Sequence, residues 1–197
     1  MPLSATTELE AVNIMLRDIN EAPIASLSGL SDSSDMGKAL NTLRQVSREV
    51  QSRGWAFNTR TEVALTRDGS NKIAIPTGAM RVEISTFKYP NVLLVIRNGY
   101  LYDTVTGTDV LTQDYTAERI VIGLDFVDLP ENAKAYITHR ASRVFQDRVF
   151  GSRDLQQTIG EQERRSWAEM LRDESRVRDA NIFKNPDVLR GIRYGYS

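Results

Sequence analysis

The hydrophobic pattern of the chain changes at Gln51-Ser52-Arg53-Gly54-Trp55-Ala56-Phe57-Asn58. Before this stretch, apolar residues recur at the three- and four-residue spacing of an amphipathic helix, and after it they come in the short runs typical of strands. Gly54 suits the position after a helix, where the backbone takes a positive φ. Trp55 and Phe57 alternate with smaller or polar neighbours, which indicates either a strand with one buried face or a helix cap followed by a core tryptophan.

A second change lies near Asp125-Phe126-Val127-Asp128-Leu129-Pro130, where helical spacing returns. The two changes predict an α+β fold, in which a small β-sandwich or barrel-like domain interrupts an antiparallel four-helix bundle and an extended C-terminal tail follows. Gly54, Trp55, Phe57 and Pro130 then mark the domain junctions. The predicted segments are a first helical half at 1–54, a β domain at 55–127, a second helical half at 128–180 and a tail at 181–197.

Four amphipathic stretches predict the helices. Thr7 is expected to cap the first helix, with Glu10 completing a capping box, and Asn20 to end it because asparagine tolerates left-handed backbone. The other helix boundaries are predicted at Asp32 or Ser34 for the second helix, at Asp128 with Pro130 in the first turn and Gly151 at the end for the third, and at about Asp154 and Asp179 for the fourth.

Short apolar runs between turn signals predict the strands of the β domain. Val92–Ile96 is apolar throughout, which predicts a central strand that is covered on both faces. Asn98-Gly99 predicts a two-residue hairpin turn. Further strands are expected at Glu62–Leu65, Lys72–Pro76, Arg81–Ser85, Tyr100–Tyr102 and Arg119–Leu124, with turns at Asp68–Asn71 and Thr106–Thr108.

Composition excludes several classes of function. The net charge is −1, so no overall field attracts the chain to DNA or to an anionic membrane. Cysteine is absent, and a single histidine, His139, leaves no cysteine or His-rich metal site, so neither a metal nor a cofactor is expected. No apolar stretch approaches the roughly 20 residues that span a bilayer, and the N-terminus lacks a signal-peptide pattern. We therefore expect a soluble protein without a membrane anchor, made in a cytoplasm.

Carboxylate pairs provide weak candidates for catalysis. Asp125 and Asp128 lie at the second change in pattern, Glu131 follows one turn later, and two acids are sufficient for glycoside hydrolysis. Asp128 and Glu131 also have simpler interpretations, as a helix cap and a first-turn acid. A phosphate-binding loop, a nucleophile elbow and a metal-ligand motif are all missing from the sequence. No catalytic residue is therefore expected, and a hydrolase stays the alternative.

The C-terminal stretch combines a few cations with interleaved aromatic residues. Lys184, Arg190 and Arg193 are too few for a DNA footprint, whose affinity comes from many phosphate contacts, and a basic stripe is missing. Docking on another protein chain is the preferred interpretation over a frayed terminus. The residues predicted to dock are Phe183, Arg190, Ile192, Arg193, Tyr194 and Tyr196.

Several short motifs agree in order and spacing with one known family. They are Ala11-Val12-Asn13, Pro23, Ser52-Arg53-Gly54-Trp55-Ala56-Phe57-Asn58, Asn98-Gly99-Tyr100-Leu101-Tyr102-Asp103, Leu129-Pro130-Glu131, Ala141-Ser142-Arg143 and Phe150-Gly151. With these motifs the chain resembles, from Leu9 to about Met170, the tail tubular protein A family of short-tailed (podovirus) bacteriophages. Asn20 stands where that family is expected to have glycine, and both residues accept positive φ.

The resemblance implies a helical bundle with a β domain and the role of a head-to-tail adaptor, or gatekeeper, in the virion. It also implies a ring, usually of twelve copies, between the portal protein and the tail nozzle protein, through which double-stranded DNA passes without sequence readout. In such proteins the helical domain and the C-terminal segment face the portal, and the β domain faces the nozzle. The near-neutral charge is compatible with DNA passage, because a strongly basic bore would hold the genome.

Overall fold

A computed structural model describes residues 5–149 and 151–182 of the chain. These residues form two compact units: a helical unit within Met1–Ser47 and Asp125–Ser197, and a β unit within Arg48–Leu124. The mixture of helices with antiparallel sheets confirms the predicted α+β class. The described helices are α1 at Glu8–Asp18, α2 at Asp35–Gln51, α3 at Glu131–Val149 and α4 at Arg153–Ile182.

The first two helices begin where the sequence predicts. The Thr7 hydroxyl accepts a hydrogen bond from the Glu10 backbone at 3.2 Å, and the Glu10 carboxylate accepts one from the Thr7 backbone at 2.7 Å. This capping box confirms the prediction for α1, and Asn20 follows the helix with a φ of 61°. Ser34 caps α2, because its hydroxyl accepts a hydrogen bond from the Gly37 backbone at 3.0 Å.

The third helix begins later than predicted, and the prediction that Asp128 caps it is wrong. Phe126–Asp128 forms a short 3₁₀ turn, and the first backbone bond of α3 runs from Lys134 N–H to the Pro130 carbonyl at 2.9 Å. Phe126 and Leu129 are both buried, so the backbone between them makes a tight turn instead of entering the helix directly. Pro130 therefore occupies the position immediately before α3.

The core of the helical unit is built from one face of each helix. α3 contacts both α1 and α4. The Tyr136 ring on α3 lies 4.8 Å from the Trp167 ring on α4. Other buried core residues are Ala11, Val12, Met15 and Leu16 on α1, Ala39, Leu40, Leu43 and Val46 on α2, Ala133, Ile137, Ala141 and Phe145 on α3, and Ile159 and Met170 on α4.

The β unit contains a three-stranded and a two-stranded antiparallel sheet. The described strands are β1 at Thr59–Leu65, β2 at Ala79–Ile84, β3 at Leu94–Arg97, β4 at Tyr100–Asp103 and β5 at Tyr115–Ile122. Their order is β1-β5-β2 in one sheet and β3-β4 in the other. Side chains from both sheets and from the connecting loops form one apolar core, made of Leu65, Ile73, Leu94, Leu101, Leu111, Tyr115, Ala117 and Ile120.

The strand prediction is confirmed where a turn sequence determines which strands pair. It is wrong where it rested on the apolar character of a run alone. Asn98 and Gly99 have φ values of 50° and 79°, and they join β3 to β4 as predicted. Val92–Ile96 is not central: the strand begins at Leu94, pairs with β4 alone among the named strands, and leaves Leu93 exposed. The central strand is β5, because it alone has partners on both sides.

Two further predicted strands take other forms. Lys72–Pro76 is not a strand of either sheet, and it meets Tyr100 through an isolated bridge at Ala74. The turn before it does form, since Asp68 N–H bonds to the Lys72 carbonyl at 2.8 Å. Ala56–Asn58 is a 3₁₀ turn, so the strand interpretation of Trp55 and Phe57 is wrong and the cap with a buried tryptophan is right.

Candidate interaction surfaces

Asn58 organises the start of the β unit. Its side chain, 3% exposed, accepts a hydrogen bond from the Trp55 backbone at 2.8 Å and donates to the carbonyls of Gln51 and Ile122 at 2.9 and 3.0 Å. The Trp55 indole donates to the Val50 carbonyl at 2.8 Å. One buried amide thus satisfies three backbone groups and fixes the turn that follows α2.

The places where the chain enters and leaves the β unit are joined directly. The Gln51 side chain donates to the Leu124 carbonyl at 3.0 Å and accepts from its N–H at 2.7 Å. Gly54 has a φ of 78°, and a Cβ there would lie 2.8 Å from Val121 Cγ2, so both conformation and space require glycine. Phe57 stacks on Trp55 with 6.5 Å between ring centroids.

The three carboxylates considered for catalysis have different surroundings. Asp125 and Asp128 share one turn, with Asp128 N–H bonded to the Asp125 carbonyl at 3.0 Å, and both side chains are exposed. Glu131 accepts hydrogen bonds from Lys134 Nζ at 2.8 Å and from the Thr6 hydroxyl at 2.7 Å. Lys134 is only 1% exposed, so Glu131 provides the charge partner that a buried ammonium needs.

The chemistry of Glu131 differs from that of a general acid. The hydrogen bond from Lys134, with help from Thr6, holds the pKa of Glu131 below its ordinary value. A glycosidase acid needs the opposite shift, because it must keep its proton near neutral pH. Glu131 is therefore suited to stabilising the start of α3.

His139 lies in a polar contact between α3 and α4. Its Nδ1 is 3.2 Å from the Ser166 hydroxyl oxygen, which also lies 3.0 Å from the carbonyls of Gln162 and Glu163. Burial lowers the pKa of His139, and the charges of Asp18, Glu163 and Glu169 offset this effect in part. Because the Ser166 hydroxyl is buried against its own helix, it has the environment of a packing contact instead of that of a nucleophile.

Ion pairs complete the contact between these helices. The Glu163 carboxylate on α4, 12% exposed, bonds to the guanidinium groups of Arg140 and Arg143 on α3. The Ser142 hydroxyl donates to Asp18 on α1. Sequence reasoning included Ala141-Ser142-Arg143 in the family resemblance without assigning a role, because the partners on α1 and α4 are distant in the sequence.

Exposed apolar side chains gather at one end of the β unit. β1 and β2 end beside the start of β5, with Leu65 opposite Tyr115 and Ile84 opposite Ala117. We define the distal loops as residues 85–93 and 104–114; they lie at this end, away from the joined Gln51 and Leu124. Their exposed apolar side chains are Phe87, Leu93, Val105 and Val110.

Phe87 projects from a rigid turn. Its side chain is 97% exposed, while Tyr89 N–H bonds to the Ser85 carbonyl at 2.9 Å. The Tyr89 hydroxyl accepts from Thr116 N–H at 3.1 Å, and its ring meets the Tyr115 ring edge-on with 4.9 Å between centroids. The turn is thus held on both sides of the exposed phenyl ring.

A buried aspartate supports the other distal loop. Asp103 accepts hydrogen bonds from the Thr106 hydroxyl at 2.7 Å, from Val105 N–H at 3.0 Å and from Leu93 N–H at 3.4 Å. Burial raises the pKa of Asp103, but these hydrogen bonds outweigh it and leave the pKa below its ordinary value. The carboxylate therefore stays charged and fixes the backbone beside exposed Leu93 and Val105.

The helical unit has a pocket of about 400 Å³ between α2 and the end of α3. Sequence reasoning missed it because residues about 100 positions apart in the chain line it. Its lining residues are Lys38, Asn41, Thr42, Gln45, Phe145, Arg148 and Val149.

Two sequence predictions concern other surfaces. The six residues predicted to dock on a partner, Phe183, Arg190, Ile192, Arg193, Tyr194 and Tyr196, lie outside the described residues. Of the helices that the structure describes, none is both long enough and apolar enough to cross a membrane.

Buried hydrogen bonds and interhelical ion pairs give the chain a fixed scaffold, and its exposed apolar loops are surfaces suited to contacts with other chains. The chain belongs to the tail tubular protein family, whose model matches residues 9–180. It is similar to tail tubular protein A of Klebsiella phage KP34, with 30% identity over 133 residues, 67% of each chain. The protein is therefore a structural component of a phage tail, and the predicted resemblance is confirmed.

Proposed function

We propose that this tail protein is a head-to-tail adaptor, or gatekeeper. Copies of the chain, usually twelve in the family it resembles, form a ring between the portal protein and the tail nozzle protein, and double-stranded DNA passes through the ring during ejection. The chain is made in the host cytoplasm and assembled into the virion. The proposal includes an antiparallel four-helix bundle that faces the portal and an inserted β-sandwich or barrel-like domain that faces the nozzle.

The exposed apolar end of the β unit supports this proposal most strongly. Phe87, Leu93 and Val105 are exposed apolar residues on loops whose backbones are fixed by Tyr89 and Asp103. Exposed apolar clusters on rigid supports are typical of protein contact sites, and aromatic side chains often provide most of the binding energy. We therefore assign the distal loops to the nozzle contact, with Phe87 as the anchor.

Binding of purified nozzle protein to Phe87→Ser tests the assignment. Loss of an anchor worth about 2 kcal/mol weakens binding roughly 30-fold. The phenyl ring is fully exposed, so the variant should keep the circular dichroism and Tm of the parent protein. Val177→Ser, which changes a half-exposed apolar residue of the helical unit, is the matched control and should bind normally. Equal nozzle affinity for both variants would refute the assignment.

The portal contact is assigned to the C-terminal segment from its sequence. Phe183, Ile192, Tyr194 and Tyr196 offer apolar area, and Arg190 and Arg193 offer partners for portal acids. A chain truncated before Asn185 retains all of α4. We expect it to fold normally and to lose portal binding. Unfolding after truncation would make the segment part of the fold, and unchanged portal binding would refute the docking role.

The alternative hydrolase has little support in the described residues. Asp125 and Asp128 share one exposed turn, and Glu131 is engaged by Lys134. Turnover of an oligosaccharide by the purified protein, with loss of turnover in Asp125→Asn, would establish the alternative.

A further inference from the structure

The turn before α3 presents an apolar side chain between two acids. Val127 is 61% exposed, and it lies at the middle of the Phe126–Asp128 turn. Phe126 and Leu129 are buried on either side and hold the turn in place. Asp125 and Asp128 are exposed, and none of the described side chains or backbone groups pairs with their carboxylates. We refer to Asp125–Asp128 as the knob.

The pocket between α2 and α3 has complementary features. Phe145 and Val149 give it an apolar lining, while Lys38 and Arg148 are its charged lining residues. Lys38 already pairs with Asp35 at 2.8 Å, whereas Arg148 donates to the Gln45 side chain at 3.3 Å. Among the described carboxylates Arg148 has no ion-pair partner, so it carries the uncompensated positive charge. We refer to the seven lining residues of this pocket as the socket.

We propose that the knob of one copy inserts into the socket of a second copy. Val127 then packs against Val149, above the buried ring of Phe145, and Asp125 or Asp128 pairs with Arg148. The two surfaces are complementary, because each has an apolar centre and their charges have opposite signs. Both surfaces belong to the helical unit. This inference rests on the proposed ring and specifies the contact that would build it.

The two surfaces are too far apart to meet within one chain. The knob precedes the first residue of α3 and Phe145 lies 14 residues into that helix, which corresponds to about 20 Å along the helix axis. The contact is therefore heterologous, with different surfaces on the two partners. A heterologous contact repeated through identical copies gives a closed ring or an open filament, and the ring is the form that an adaptor needs.

The absence of cysteine permits a crosslinking test without background. Val127→Cys marks the knob and Asn41→Cys marks the exposed rim of the socket. The two variants, with tags of different mass, are mixed and oxidised at high protein concentration, both free and with purified portal protein. We expect a disulfide between unlike variants in the mixture and little dimer from either variant alone, since the contact is heterologous.

Val105→Cys is the matched control, because Val105 is 66% exposed, close to the 61% of Val127, but belongs to the β unit. It should not crosslink to Asn41→Cys above the level of random collision. Asp128→Arg and Arg148→Asp each reverse one charge of the proposed ion pair. Either change should lower the disulfide yield between the two cysteine variants by about two- to fivefold, as for an exposed ion pair. Mixing the two reversed partners should restore it.

The outcomes distinguish this contact from the adaptor role. Portal-bound rings without a knob-to-socket disulfide would overturn the contact and leave the adaptor role intact. A disulfide in the free protein, with no binding to portal or nozzle, would support the contact and refute the adaptor role. Equal yields for knob and control cysteines in both states would show that the socket does not receive the knob.

Discussion

Replacement of Asn58 by alanine should unfold the β unit far more easily than its small change in volume suggests. The Asn58 side chain is buried, and it bonds to the backbone of Trp55, Gln51 and Ile122 at 2.8 to 3.0 Å. Alanine leaves one N–H and two carbonyls without these partners. The predicted loss of stability therefore comes from unsatisfied backbone groups more than from lost packing.

The magnitude follows from the number of bonds. A buried polar group left unsatisfied costs about 1–3 kcal/mol, so three groups cost roughly 3 kcal/mol at the lower limit. A domain of this size has a total stability of about 5–15 kcal/mol, so this loss is a large part of it. With a urea dependence of about 2 kcal/mol per molar, the unfolding midpoint should fall by about 1.5 M.

Tryptophan fluorescence can follow this unit separately. Trp55 lies in the β unit and Trp167 in the helical unit, so urea titrations in a Trp167→Phe background report on Trp55 alone. Asn91→Ala, at an exposed asparagine of the same unit, is the matched control and should leave the midpoint unchanged. A midpoint shift below about 0.5 M for Asn58→Ala, equivalent to about 1 kcal/mol, would show that water replaces the lost bonds and would refute the reasoning.

Three further changes test other parts of the fold. Gly54→Ala should destabilise the β unit by at least about 1 kcal/mol in the same titration, because alanine resists positive φ and its Cβ would meet Val121. Burial holds the pKa of His139 below its ordinary value of 6.5, so the contribution of neutral His139 to stability is fully present above pH 6.5 and is lost as the pH falls through the folded pKa. His139→Gln should therefore flatten the dependence of Tm on pH below 6.5. Lys134 lowers the pKa of Glu131 from its ordinary value of 4.5, so the charged carboxylate stabilises the folded state above pH 4.5. Glu131→Gln should therefore lower Tm at pH 7, and the Tm difference from the parent should shrink as the pH falls below 4.5 toward the folded pKa. Equal pH slopes for His139→Gln and the parent, or a Tm difference for Glu131→Gln that does not shrink as the pH falls below 4.5, would contradict these assignments.

Local signals predicted the parts of the fold that local physics determines. The capping box of Thr7 and Glu10 and the Asn98-Gly99 hairpin depend on neighbouring residues, and both are present. The position of Val92–Ile96 depends on which strands pair with it, and an apolar run carries no information about that choice. The predicted domain boundaries and the arrangement of the four helices stay predictions.

Candidate sites were harder to predict than the fold, because their residues meet only after folding. The socket joins α2 to the end of α3, and the distal loops combine residues 85–93 with 104–114. No spacing rule links such positions. The predicted carboxylates did come from neighbouring residues, but the structure divides them, with Glu131 bonded to Lys134 and Asp125 and Asp128 exposed beside Val127.

The motifs that carried the family resemblance act mainly on the backbone of their own chain. Asn13 bonds to the N–H and carbonyl of Ile24 at 2.8 and 3.0 Å, Asn58 to three backbone groups, and Asp103 to the loop that follows β4. Such residues identify a fold because no other side chain makes the same set of bonds in the same space. The surfaces proposed for partners, Phe87 and Val127 among them, require only an exposed apolar side chain on a fixed turn. A resemblance based on residues that bond to their own backbone therefore identifies the family. Identifying the partners requires binding and crosslinking experiments on variants of exposed residues such as Phe87 and Val127.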